Sequence, residues 1–375
     1  MIHRRSLLIF LAASLLLALQ TKAQAQTDKH LFPILQNQKW GYMDQTGRIV
    51  IKPRFQLAFD FSEGLAVVAI NRKFGYINTR GVMVIKPQYD EANRFSEGLA
   101  LVGKDYRWGY VDKTGQEVIA RQFIEGSDFS EGLAAVHIDP HSAGTDARWG
   151  YIGKKGSIVI APQFFSAGDF SEGMARVSVG KFGEVNPVGY IDTKGNFIVK
   201  PQFILAGNFS EGLAPVEFGG RMDQFGERLY SHVPGKWGYI DKTGKIILAA
   251  QFDSANQFSE GLAFVKVGEK HGYINKTGQI VIEPKYDYVG GGNYCSEFKE
   301  AMACISLDNK IGYIDNKGRI IAAPQFDNAQ SFSHGLARVT LGGLEPVEQG
   351  SDVVGFRGRF AYIDKKGSYV WKPAN

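Results

Sequence analysis

Seven glutamates recur at matched positions: Glu63, Glu97, Glu131, Glu172, Glu211, Glu260 and Glu300. Paired carboxylates drive glycoside hydrolysis when one is held protonated and the other ionised. Equal spacing argues against that use. Equivalent environments do not split pKa values, so these acids read as structural hydrogen-bond acceptors. A second cluster, His137-x-Asp139-x-His141 with Asp146 nearby, carries donor types that hold divalent metals. No cysteine or glutamate completes it, and Pro140 and Gly144 suit a plain solvated turn, so neither metal nor cofactor is assigned. Residues 218–235 add Arg221, Asp223, Arg228, Tyr230 and His232, a mixed-charge stretch suited to a polar contact surface. The chain has no nucleophile elbow, phosphate loop or dinucleotide fingerprint, and no catalytic residue is assigned.

The elements that must position these residues are repeats. A glycine–tyrosine pair recurs at Gly41-Tyr42, Gly75-Tyr76, Gly109-Tyr110, Gly150-Tyr151, Gly189-Tyr190, Gly238-Tyr239, Gly272-Tyr273 and Gly312-Tyr313, with Ala361-Tyr362 as a worn ninth copy. The next marked aromatic always lies 14 positions after that glycine, as in Gly41 to Phe55, and the shortest full period is 34 residues. Within one period, Trp40 to Ile51 reads as a hairpin whose turn opens on Asp44 and closes on Gly47. Proline, as at Pro53 and Pro87, is expected to stop its second strand for want of an N–H. Ala58 and Phe61 then fit one helical turn ended by Gly64, and Leu65 to Val68 a third strand.

The expected fold is all-β: a tandem array of about nine three-stranded antiparallel modules, beginning near residues 31, 65, 99, 133, 174, 213, 262, 302 and 336. Three strands in 34 residues fall short of a four-stranded propeller blade. An open curved array is therefore expected, with a closed ring as the alternative. Four insertions break the beat, after Phe129, Phe170, Phe209 and Phe332, all between a third strand and the next hairpin. In a stacked array they would emerge on one side, a candidate binding face.

The Trp-Gly-Tyr runs at Trp40, Trp108, Trp149 and Trp237, the Asp-Lys-Thr-Gly turns and the Phe-Ser-Glu-Gly-Leu-Ala stretches resemble the WG (KWG) repeat family across residues 31–373. The resemblance implies an exported bacterial β-repeat protein without a catalytic set. The tryptophan position also holds Phe74, Val188, His271, Ile311 and Phe360, so it asks for bulk more than for an indole.

The first residues read as a signal peptide: basic His3, Arg4 and Arg5, an apolar run from Leu7 to Leu19, and Ala23-Gln24-Ala25 for cleavage after Ala25. Arg4-Arg5 keeps twin-arginine export open beside ordinary secretion. Removing residues 1–25 takes Arg4, Arg5 and Lys22 and no acid, lowering the formal charge from +5 to +2. Such a balance offers no general attraction for nucleic acid, and no later segment is apolar enough for a membrane span. In an oxidising periplasmic or extracellular compartment, Cys295 and Cys304 are expected to pair. The function expected is a non-enzymatic scaffold for an envelope protein, peptide or glycan; a hydrolase acting on cell wall or polysaccharide is the rival reading.

Overall fold

The computed structural model describes residues 30–138, 148–181, 185–224, 230–289, 294–349 and 352–373. Among them every regular element is a β-strand except a 3-10 turn at Tyr294–Ser296. The strands form nine small antiparallel sheets of three or four strands, and a two-stranded ribbon joins them. The sheets are called blades 1 to 9 in chain order.

Blade 2 shows the grammar. Its four strands are Leu57–Ala58, Leu65–Ile70, Lys73–Asn78 and Met83–Tyr89, each paired with the next. The expected helical turn is replaced by strand. Ala58 pairs with Val68, and Ser62 and Leu65 exchange both backbone hydrogen bonds, at 2.9 and 3.0 Å. Between them Glu63 and Gly64 have φ of 51° and 85°. Two left-handed residues make a tight hairpin turn whose twist matches its strands. Nor does proline stop the outer strand. Pro87 lies inside Met83–Tyr89, where the register skips between the pairs Tyr76–Ile85 and Phe74–Tyr89. The bulge there leaves an N–H without a ladder role, which proline satisfies. Gly75 faces that bulge, and a Cβ on it would stand 2.5 Å from the Ile85 carbonyl oxygen. The recurrence of this glycine in eight of nine copies is steric.

Hydrophobic cores lie between blades. One joins Leu65, Val67, Tyr76 and Ile85 of blade 2 to Phe95, Ala100, Val102 and Val111 of blade 3. The repeated tyrosine crosses the same boundary. The Tyr76 hydroxyl donates to the Asn93 carbonyl at 2.8 Å, and the Tyr42 hydroxyl to that of Phe59 at the same distance. Burial pushes both hydroxyls well above their usual pKa, so they stay neutral donors.

The array is closed, which corrects the open form expected from strand count. Phe32, Ile34 and Met43 of blade 1 pack with Leu336, Tyr362 and Trp371 of blade 9. The Trp40 and Phe360 rings lie 5.4 Å apart, and the Tyr362 hydroxyl donates to the Pro33 carbonyl at 2.8 Å. Closure follows from the strand that counting missed. Each innermost strand spans only two residues, as in Glu91–Ala92 or Asn328–Ala329, and shows no apolar pattern. It makes most blades four-stranded, and the modules form a β-propeller.

Candidate functional site

The repeated glutamates come first, because their geometry decides their use. Each sits in the tight turn before the second strand of its blade and reaches into the next blade. The seven carboxylates accept the backbone N–H of Gly98, Gly132, Gly173, Gly212, Gly261, Ala301 and Gly335 at 2.7–3.1 Å. Five also pair with a lysine of that neighbour, as Glu63 with Lys113 and Glu97 with Lys154, both at 3.0 Å. Burial alone would raise the Glu97 carboxyl, but Lys154 and the Gly132 N–H outweigh it and hold it below the usual range. These acids tie blades together around one end of the ring.

At the junction of blades 9 and 1 the code changes. His334 stands at the glutamate position and Gln45 at the lysine position. The Gln45 amide donates to the His334 carbonyl at 2.9 Å, and the His334 ring stacks on His30 with centroids 3.2 Å apart. Both substitutions fall on one interface, marking it as the seam.

The opposite end carries the insertions. All four enlarge the turn between second and third strands, which is only Asn71-Arg72 in blade 2. In blade 4 the strand Leu133–Ile138 resumes at Arg148–Gly153. In blade 5, Met174–Ser178 resumes at Val188–Asp192. Blade 6 carries the ribbon Arg221–Gln224 with Tyr230–Val233, and blade 9 lengthens its own strands to Leu336–Gln349 and Asp352–Asp364. The first three blades are consecutive, and Arg148 donates to the Gly180 carbonyl at 3.0 Å across the boundary of two insertions. Lysine–aspartate pairs ring the same end, among them Lys73–Asp90 and Lys270–Asp287. The lysine ammoniums hold both carboxyls below their usual range.

The predicted site residues divide by element. His137 lies on its strand opposite Trp149, and the rings stack at 5.0 Å, only 3° from parallel. Asp139, His141 and Arg228 lie outside the described residues, as does Asp146. Arg221 and Asp223 form an exposed ion pair at 2.9 Å on the ribbon, and Tyr230 stands opposite Gln224. His232 meets Glu217 at 2.9 Å. No bond joins His137 to the ribbon residues among the described residues, so the candidates form two patches on one end.

Glu217 was missed by sequence reasoning. Its buried carboxylate accepts from the Gly235 N–H at 2.8 Å and meets the His232 ring, fastening the ribbon at its root. The usable signal was a carboxylate at a strand position that holds Ala69 or Gly103 in other copies. Cys295 and Cys304 form a disulfide with Cα atoms 5.1 Å apart, tying the loop before blade 8 to its strand. Among the described residues no group of three His, Cys, Asp or Glu is placed to hold a metal ion, and no helix is long and apolar enough to cross a membrane.

Two carboxylates stand apart. Asp128 and Glu297 occupy the position just before the inner phenylalanine in blades 4 and 8. Burial raises both above the usual range, against a bond from Asn93 to Asp128 and one from Gln257 to Glu297.

Solved structures resemble this fold at low identity. A eukaryotic initiation factor crystal structure aligns with a TM-score of 0.60 at 11% identity, over 92% of this chain and 96% of that one. Hsv2 of Kluyveromyces lactis gives 0.37 at 10% identity over 81% and 96%, and apo AztD of Citrobacter koseri 0.35 at 11% over 91% and 96%. No curated protein sequence matches the chain. The sequence model described as the WG containing repeat matches eight tandem segments: 40–74, 74–108, 108–139, 149–181, 189–221, 237–270, 272–310 and 311–344. With most of its blades so matched, the chain belongs to the WG repeat family.

Proposed function

We propose that this protein is an exported, non-enzymatic scaffold of the cell envelope whose insertion-bearing end binds a protein or glycan. The observation that carries the reading is the division of labour between the two ends. At one end the repeated acids are committed to inter-blade bonds. At the other, the strands bounding the blade 4 insertion present a histidine–tryptophan stack, and the braced ribbon of blade 6 carries an exposed ion pair. Loops on a rigid scaffold are where recognition residues concentrate. Export rests on the leader, and the Cys295–Cys304 bridge is compatible with it.

The test is capture from envelope extract and on a polysaccharide array, using the chain from Gln26 onward. A ligand held by this chain should be lost when residues 221–233 are replaced by a two-residue turn, with thermal stability kept. Retention by the shortened chain removes the ribbon from the binding face. The hydrolase reading draws on Asp128, a carboxyl that burial holds above its usual range, with the charge of Asp169 adding to the effect. Release of reducing ends from cell-wall glycan that stops in Asp128→Asn would favour it over the scaffold.

A further inference from the structure

We infer that the inner edge of blade 1 is a docking slot for an extended peptide strand from another polypeptide. In blades 2 to 9 the second strand of the sheet has a partner on its inner side. That partner is a two-residue strand in six blades, and a single bridge in blades 6 and 8, Ala206 to Val216 and Asp287 to Ser306. Blade 1 differs. Its strand Phe32–Gln36 pairs only with Lys39–Met43, and no strand covers its inner edge among the described residues.

The register says which groups face the slot. Leu35 is opposite Trp40 as Ala69 is opposite Phe74, and Pro33 opposite Tyr42 as Val67 is opposite Tyr76. In blade 2 the Ala69 and Val67 carbonyls accept the N–H of Gln56 and Phe59 at 3.0 and 3.1 Å. The Leu35 and Pro33 carbonyls are therefore the acceptors for an incoming strand, and the Leu35 N–H is its donor.

Blade 9 places two side chains on the other side of the slot, of which Arg338 is the donor left for an occupant. The Tyr362 counterparts in other blades donate to the carbonyl of the incoming inner strand, as Tyr42 does to Phe59. Tyr362 instead donates to the Pro33 carbonyl, on the edge that no described strand covers. Arg338 lies opposite Tyr362 as Arg176 lies opposite Tyr190. Arg176 donates to the Ala206 carbonyl on the inner side of the next blade at 3.2 Å. Arg338 has that role to fill, and it lies over the Trp40 and Phe360 rings at 5.8 and 5.3 Å.

Sterics set the sequence that fits. The second residue of the inner pair is alanine or glycine in seven of the eight blades that have one. A Cβ on Gly126 would already stand 3.0 Å from the Tyr110 hydroxyl of the preceding blade. Two residues further on, blades 2, 4 and 5 carry Asp60, Asp128 and Asp169. The occupant is thus an extended segment of the form X-Ala/Gly-X-Asp, its acid complementing Arg338. One 34-residue period before Leu57-Ala58 lie Ala23-Gln24, outside the described residues and on the leader side of the expected cleavage. The inference rests on that removal, which the proposed function shares, but not on the insertion face.

The experiment is fluorescence anisotropy with the chain from Gln26 onward and a labelled peptide copying residues 55–62. Saturable binding of one peptide per chain is expected. Methylating the peptide amide at the Phe59 position removes the N–H that Pro33 would accept, and should weaken binding at least about tenfold. An Ala58→Val peptide and an Arg338→Met protein should each weaken it too. The peptide changes leave the protein untouched, so misfolding cannot mimic their effect. Absence of saturable binding, or equal binding of the methylated peptide, overturns the slot. The chain lacking its blade 6 ribbon should bind the peptide unchanged, which separates this outcome from failure of the insertion face.

Discussion

A single hydroxyl per repeat links neighbouring sheets. Tyr110 donates to the Ser127 carbonyl at 2.8 Å and is buried. Tyr110→Phe keeps the ring and leaves that carbonyl one donor short, so stability should fall by about 1 kcal/mol in a denaturant titration. The glutamates predict a pH dependence. Glu97, Glu172 and Glu300 have carboxyls held below their usual range in the folded chain by lysine and backbone N–H partners, against the opposing effect of burial. A depressed folded pKa gives stability that is full above the unfolded value and lost as pH falls through the folded one. The melting temperature should therefore drop on acidification below about pH 4.5, the usual glutamate range. A Glu97→Gln, Glu172→Gln, Glu300→Gln chain should show a shallower drop. Equal slopes would deny these groups the role. This level was partly legible. Equal spacing of the acids pointed to structure, whereas Glu217 stood out only as a carboxylate at the Ala69 position, and its partner His232 could not be read because it lies across an insertion of irregular length.

At the scale of the strand and turn, two glycines with different reasons make a sharp comparison. A Cβ on Gly109 would stand 2.6 Å from the Ile119 carbonyl oxygen, in backbone that cannot yield cheaply. Gly132 has φ of 82° and open space around it. Gly132→Ala should cost only the left-handed strain, about 1–2 kcal/mol. Gly109→Ala should cost more, about 3 kcal/mol or above, because the outer strand must move. Thermal unfolding of the two variants decides the order. The Cys295–Cys304 bridge closes a short loop, with the cysteines 9 apart in sequence. Its reduction should cost about 2–3 kcal/mol and raise hydrogen exchange first in the strand Met302–Leu307. Hairpins and their turns could be read from spacing because turn chemistry is local. The innermost strand could not, because two residues carry no periodicity. Proline was misread because a bulge tolerates it as readily as a strand end does.

For the whole molecule, the number of modules was countable but closure was not, since closure depends on contacts between residues as far apart as Pro33 and Tyr362. The seam made of His334, Gln45 and the Trp40–Phe360 contact has a further consequence. Every boundary between blades is a head-to-tail joint, and such joints build filaments unless the ends meet. An opened chain would expose at its two ends the surfaces that another opened chain needs. Histidine, where the seven internal joints from Glu63 to Glu300 carry glutamate, gives the closing joint an address that those joints lack. Trp40→Ala together with His334→Glu and Gln45→Lys should weaken the closing contact while making the ends match internal joints. Light scattering should then show mass rising with concentration, and the parent chain should stay at constant mass. The contact between first and last blades leaves neither of those faces open for such a joint.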